Sequence, residues 1–379
     1  MVLRPAGLQK TAALLSALLA MSAGATAFAA EVPSGSRERP FRMGYLSLNA
    51  AYDQAKPLAM SDAGFVVNSA LLIGSFNEHW VGGLSIATGK PQWWFDGKVS
   101  MTAPPGSFGS SVMLGFRDGR VVKLDALTGK RQWVANLDSF TERPFLLSGT
   151  TLFVVTAAQV LHAIDFQTGK VHWLFDGGFP DGLTVAGGAR PIIHDGKILF
   201  GVASGEIVAV DAETGKLAWR YNPAYNDQKF HSVVGEITVR NNRLLMTRYD
   251  GLVAAIDLAS SVRATAWQEM MPGLSTSTFR NGRYYIGGIG GEVVAIDPDN
   301  GGRQVWRTVT GASVVSIVAG ETTLYVGGSE GRVTALDASS GEILWHDKLG
   351  TAIFGPPALF ESSIFYSTGL KSIYAYKLK

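Results

Sequence analysis

A sixteen-residue phrase recurs along the chain and ends each time in tryptophan. Residues 118–133 read DGRVVKLDALTGKRQW, residues 204–219 read SGEIVAVDAETGKLAW, and residues 330–345 read EGRVTALDASSGEILW. The anchoring tryptophans are Trp93, Trp133, Trp173, Trp219, Trp267, Trp306 and Trp345, spaced 40, 40, 46, 48, 39 and 39 residues apart. An acidic residue stands ahead of six of them: Asp125, Asp165, Asp211, Asp257, Asp297 and Asp337, with Ser85 in the first copy. A period of this size marks an array of equivalent supersecondary units, and it constrains the fold before any other feature does.

Each copy can be read physically. RVVKLD and its kin are β-branched and alternate with period two, which predicts strands. A small residue sits two positions before the Asp in most copies, as at Ala163, Ala209, Ala255, Ala295, Ala335 and Ala375, suiting a crowded interior. DALTG, DFQTG and DAETG are turns, because Asp bonds to the backbone two residues on and Gly accepts positive φ. Two further short strands precede each hairpin, with turn pairs such as Asn281-Gly282.

One unit is therefore four short strands. A lone four-stranded sheet cannot bury both faces, whereas radial packing of several can. Seven units run through to their Trp. An eighth begins at Phe354 and ends with SIYAYKLK, one strand short, while RMGYLSLN (residues 42–49) offers a spare strand near the other end. The expectation is an all-β, eight-bladed β-propeller of four-stranded antiparallel blades, closed by pairing of N- and C-terminal strands. It would occupy residues 30–379 as a single domain.

Residues 1–29 stand apart. Arg4 and Lys10 precede an apolar run from Thr11 to Ala20, and Ala27-Phe28-Ala29 follows. This predicts a secretory signal peptide cleaved after Ala29, the run being short and Ala-rich for a membrane anchor. Removing Arg4 and Lys10 from 33 basic residues leaves 31 against 31 acidic ones, which gives no bulk attraction to nucleic acid or anionic lipid. The chain has no cysteine. Disulfides, thiolate metal sites, a cysteine nucleophile and a lipid-modified cysteine anchor are excluded.

The run VALDAxTGxxxW resembles the quinoprotein (PQQ-type) propeller repeat over nearly the whole mature chain. That resemblance implies that the seven tryptophans dock between neighbouring blades. It does not imply the quinone, since dehydrogenases of that type are larger and carry paired cysteines and calcium ligands. Within such propellers the chain looks like the BamB family, the eight-bladed accessory subunits of the outer-membrane β-barrel assembly machinery. Size, export signal, short final strand and the two long intervals after Trp173 and Trp219 carry the likeness.

In that family an apolar motif between the third and fourth blades contacts the central assembly subunit, BamA. The matching residues here are Leu183, Thr184, Val185, Ala186 and Gly187, within LFDGGFPDGLTVAGGARP. Leu183 and Val185 keep the apolar pair, and Ala186 stands where the family has Arg. Phe179 is a further apolar residue of this connection. These side chains either fold back on the propeller face or meet a partner. The family's second contact is acidic, and the matching KFHSVVGEITV offers only Glu236.

Other chemistry is poorly supported. GGSEG at 327–331 fits the G-x-S-x-G pattern, but Ser329 falls in a strand–strand turn and lacks the helix an elbow needs. DPDNGG at 297–302 lacks the distal Glu of a calcium loop and occupies a turn position. The six histidines lack metalloprotease spacing, although His162 and His172 could face each other across a hairpin. The reading is a non-enzymatic periplasmic scaffold, with no cofactor and no metal. It would be soluble or peripherally associated with the outer membrane. Its expected partners are a BamA-like assembly subunit and unfolded outer-membrane protein strands. The alternatives are a small PQQ-dependent dehydrogenase and a propeller that binds another periplasmic protein or a glycan.

Overall fold

The computed structural model describes residues 41–47, 60–76, 79–88, 90–178, 188–223, 231–353, 355–361, 363–368 and 372–377. All regular structure among them is β-strand. The strands form eight four-stranded sheets. Seven are consecutive in sequence: residues 60–96, 106–136, 146–176, 192–221, 233–270, 274–309 and 314–348. In each of these blades the first strand is innermost and the fourth is outermost. The eighth blade takes its three inner strands from Ala358–Phe360, Ser363–Thr368 and Ser372–Lys377, and its outer strand from Phe41–Ser47. Tyr45 lies opposite Tyr374 and Phe41 opposite Lys377 in that closure. The spare strand expected at 42–49 is thus seated at 41–47. The inner strand of blade 8 packs on the inner strand of blade 1, completing the ring.

The middle strands are buried on both faces, which explains their nearly continuous apolar runs. In Arg120–Asp125 all four central residues are buried. Val122 and Leu124 pack toward blade 1 and Val121 toward blade 3. The core is accordingly a series of interblade layers, one of which joins Leu72 and Leu84 of blade 1 to Phe365 and Ile373 of blade 8.

The outer strands carry a shared irregularity. In blade 2, Lys123 pairs with Trp133 while Leu124 pairs with Arg131, so Gln132 is an extra residue. The same shift precedes Trp93, Trp173, Trp219, Trp267, Trp306 and Trp345. A bulge bends the strand and re-aims the following side chain. Here it turns each indole toward the next blade.

There the indole meets the repeated turn. Asp125 Oδ1 accepts from the Thr128 amide at 2.8 Å and hydroxyl at 2.7 Å, and Asp165 and Asp211 hold Thr168 and Thr214 alike. The turn glycine makes room for the ring. Gly169 has φ +76°, and a Cβ there would stand 2.7 Å from Cδ2 of Trp133. Gly129, Gly215, Gly302 and Gly341 meet Trp93, Trp173, Trp267 and Trp306 in the same way. The TG of one blade is the seat for the Trp of the preceding blade.

Alternation along antiparallel strands sorts the loops. Asp-Thr-Gly turns share one face of the ring with the turns between first and second strands. Blade-to-blade connections and the turns between second and third strands lie on the other.

The turn carboxylates make stability acid-sensitive. Hydroxyl hydrogen bonds, from Thr128, Thr168, Thr214 and Ser339, are the main cause holding Asp125, Asp165, Asp211 and Asp337 below the usual carboxylate range. A carboxyl depressed on folding binds fewer protons folded than unfolded. Its stabilisation is complete above the unfolded pKa of about 4 and is lost as pH falls through the folded value. The thermal midpoint is expected to drop below pH 4, and less steeply in a Thr128→Val, Thr168→Val, Thr214→Val variant. Melting curves between pH 6 and 2.5 measure this.

Candidate functional site

The two long connections leave the ring on the same face, after blades 3 and 4. Phe179, Leu183, Thr184, Val185, Ala186 and Gly187 lie outside the described residues. The stems of both connections are described, and each is rooted on a buried arginine.

Arg143 precedes the inner strand of blade 3 and is buried, 5% exposed. Its guanidinium donates to the Gly201 carbonyl at 2.6 Å and to Gln159 Oε1 at 3.0 Å. Gln159 holds a positive φ of 67°, and its Oε1 also accepts from the Ala203 amide at 3.2 Å. Burial pushes the Arg143 pKa down to about 10, with Glu142 opposing. No carboxylate among the described residues pairs with it. Gly188, where the first long connection returns, lies directly on this guanidinium, since a Cβ there would be 2.7 Å from Nε. The next amide, Ala189, reaches the Val233 carbonyl of blade 5.

Arg248 plays the corresponding part for the second connection. Its side chain and that of Asp250 are 0% and 1% exposed. Nε donates to Asp250 Oδ1 at 3.0 Å, and Nη2 pairs with Oδ2. Nη1 reaches Asn222 Oδ1 at 3.2 Å, on the departing stem. On the returning stem the Ser232 carbonyl accepts from the Tyr249 amide at 3.0 Å.

Glu236 sits on the inner strand of blade 5, at a bulge between Val234 and Thr238. Its Oε2 accepts from the Thr278 hydroxyl at 2.8 Å and the Phe279 amide at 3.1 Å, both on the inner strand of blade 6. Its own amide donates to Ser277 Oγ at 3.0 Å, and the Tyr284 hydroxyl donates to its carbonyl. Burial raises the Tyr284 hydroxyl well above its ordinary range. The Glu236 carboxylate therefore staples two blades. It also opposes the desolvation that lowers the nearby Arg190 guanidinium on the return stem.

The tryptophans occupy the blade interfaces. Trp93, Trp133, Trp267 and Trp306 each donate Nε1 to a carbonyl of the next blade, at Ala126, Phe166, Pro298 and Ala338. Trp173 lies on Gly215, and Trp219 takes Arg263 over its ring at 5.0 Å. Trp345 stacks on Tyr376 at 5.1 Å, with Nε1 buried and unpartnered.

Three features were not anticipated from sequence: the two arginine roots and Lys123. Lys123 occupies the small-residue position that holds Gly83 or alanine in the other blades. Its ammonium lies 3.8 Å over the Phe166 ring and bonds to the same Phe166 carbonyl as Trp133. Desolvation lowers its pKa. The break in the Ala pattern was its available signal.

His162 and His172 do not face each other. His162 is opposite Leu174 and bonds through Nε2 to Asp138 at 2.6 Å, while the nearest carboxylate to His172 is Asp165 at 3.7 Å. Ser329 lies in a strand–strand turn, its amide donating to the Ser313 carbonyl. Among the described residues no three His, Cys, Asp or Glu side chains gather as a metal seat.

Comparisons with known proteins agree with this architecture. A curated relative from Yersinia pestis, outer membrane protein assembly factor BamB, is 26% identical over 270 residues, covering 64% of this chain and 56% of its own length. The chain thus spans little more than half of that relative. The BamB of Bordetella pertussis is 23% identical over 308 residues, 77% of each chain. Among solved structures, BamB from Moraxella catarrhalis superposes with TM-score 0.74 at 22% identity, covering 85% of this chain and all of that one. A quinohemoprotein alcohol dehydrogenase from Comamonas testosteroni shares the fold at TM-score 0.67 and 14% identity, covering 84% and 75%. The family model described as outer membrane protein assembly factor BamB matches residues 77–301 and 289–379, and the chain belongs to that family.

Proposed function

We propose that the protein is a non-enzymatic periplasmic scaffold that assists assembly of β-barrel proteins into the outer membrane. The family match over 77–301 and 289–379 carries this reading. Residues 1–29 serve as the export signal, and residues 30–379 form the working propeller. The mechanism is docking. A ring held by interblade tryptophans keeps a rigid face, and Arg143 and Arg248 root two long connections on it. The first connection presents Leu183 and Val185 to a BamA-like subunit, with Phe179 beside them and Thr184, Ala186 and Gly187 completing the motif. With Ala186 in place of an arginine, this contact rests on apolar burial. Glu236 supports the same face by fixing blade 5 to blade 6, and Arg190 is the cation nearest to it.

A Leu183→Asp, Val185→Asp variant is expected to keep the wild-type melting curve and lose partner capture. Burying two such side chains contributes about 1.5–3 kcal/mol each, so crosslinking to the BamA-like subunit should fall about tenfold or more. Unchanged capture in cells would sink the assignment.

A further inference from the structure

The tryptophan seats are interchangeable. A Cβ on Gly129, Gly169 or Gly215 would stand 2.5–2.7 Å from Cδ2 of Trp93, Trp133 or Trp173 respectively. Such a seat secures one blade to another without specifying which. Repeat chains with like interfaces misassemble, by docking the wrong units or by swapping units between copies.

The interface between blades 2 and 3 carries a distinguishing mark. Strand register puts Lys123 opposite Trp133, where Ala163, Ala209, Ala255, Ala295 and Ala335 stand opposite their own tryptophans. Lys123 is 3% exposed. Across the interface, the residue after the turn Asp is Phe166. The same position holds Ala126, Ala212, Leu258, Pro298 and Ala338 in blades 2, 4, 5, 6 and 7, and Ile86 in blade 1. Lys123 Nζ lies 3.8 Å over the Phe166 ring and donates to the Phe166 carbonyl at 2.9 Å. Phe108, also of blade 2, meets that ring edge-on at 6.1 Å. Elsewhere both positions are small, as with Ala163 and Ala212 or Ala295 and Ala338, and the layers pack without either feature.

We propose that Lys123 and Phe166 are a matched pair that assigns blade 3, and no other blade, to blade 2 as the ring assembles. An ammonium leaves water at high cost unless it is paired and hydrogen-bonded. Against the corresponding turn of any other blade, Lys123 meets a backbone carbonyl but no aromatic ring. Phe166 against any other blade meets an alanine or Gly83 in place of the ammonium. The discrimination is that of one cation–π contact out of water, about tenfold in equilibrium. Fixing register and partner is the best-attested use of a buried charge.

The test uses the full mature chain in two forms, with and without an affinity tag. They are unfolded together in urea and refolded by dilution at about micromolar concentration. Untagged chain that co-purifies with the tag reports blades exchanged between copies. Wild-type chains are expected to refold as separate rings. Lys123→Ala with Phe166→Ala copies the pairing of Ala163 with Ala212. It should keep the wild-type melting curve, since an apolar replacement of a buried charge is often neutral, while co-purification rises about tenfold. The second arm adds Ala163→Lys and Ala212→Phe to the wild type, so that two successive interfaces carry the same mark. Co-purification should rise there too, although Lys123 and Phe166 are both retained. A pair acting through stability alone would leave it at the wild-type level. Separate rings from the double-alanine variant overturn the proposal, whether its melting curve holds or falls. So do separate rings from a folded variant with the duplicated pair. If the duplicated pair prevents folding, the double-alanine arm decides.

Discussion

Replacing Trp133 with alanine is expected to cost about 3–5 kcal/mol of stability, the range for emptying a buried aromatic site. The indole is 8% exposed, its Nε1 bonds to the Phe166 carbonyl at 3.0 Å, and its ring lies on Gly169 of the next blade. A cycle with Gly169→Ala isolates that contact. In the wild-type background Gly169→Ala forces a left-handed φ on a residue with Cβ, at about 1–2 kcal/mol. It also drives that Cβ into the ring, adding about 1–3 kcal/mol of overpacking. In the Trp133→Ala background the second cost vanishes and the first remains. Urea unfolding of the four proteins should return a coupling of about 1–3 kcal/mol. Additive effects would mean that ring and turn are independent, contrary to the geometry.

Asp250→Ala is expected to cost about 3–5 kcal/mol, because it strips the carboxylate from a buried guanidinium. Arg248 keeps its Asn222 contact but loses both bonds to Asp250. Asp118 stands at the corresponding turn of blade 2 and pairs with Arg120, yet these side chains are 37% and 22% exposed. Asp118→Ala should therefore cost under about 1 kcal/mol. Urea midpoints distinguish the two. Hydrogen exchange adds a local reading: Asp250→Ala should loosen the Tyr249 amide, which ties the second connection to Ser232. Equal, small effects from both substitutions would show that the buried pair is not holding the stem.

The ring was legible from the Trp spacing because each blade must solve the same burial problem, so it repeats the same residues. The closure strand near 41–47 could be read because blade 8 was visibly one strand short. The extra residue before each Trp was not legible. Gln132, His172 and Val305 share no chemistry, and a bulge is defined only by the partner strand's register. Arg143 was passed over for a similar reason. Its acceptors are a backbone carbonyl 58 residues away and a glutamine held at positive φ, and neither leaves a mark in the local sequence.

At the candidate site the apolar pair at Leu183 and Val185 came from motif resemblance. The rooting of that connection on a buried arginine came from tertiary packing. Glu236 could be picked out as the lone acid of its segment, but its bonds to Thr278 and Phe279 depended on the neighbouring blade. The sequence by itself determined the repeat, the strand pattern, the number of blades and the exclusion of cysteine chemistry. These are properties of residue type and spacing along one chain. Only the tertiary structure decided which indole sits on which glycine and where charge is buried. Those depend on residues far apart in sequence meeting across an interface, and no local pattern encodes such a meeting.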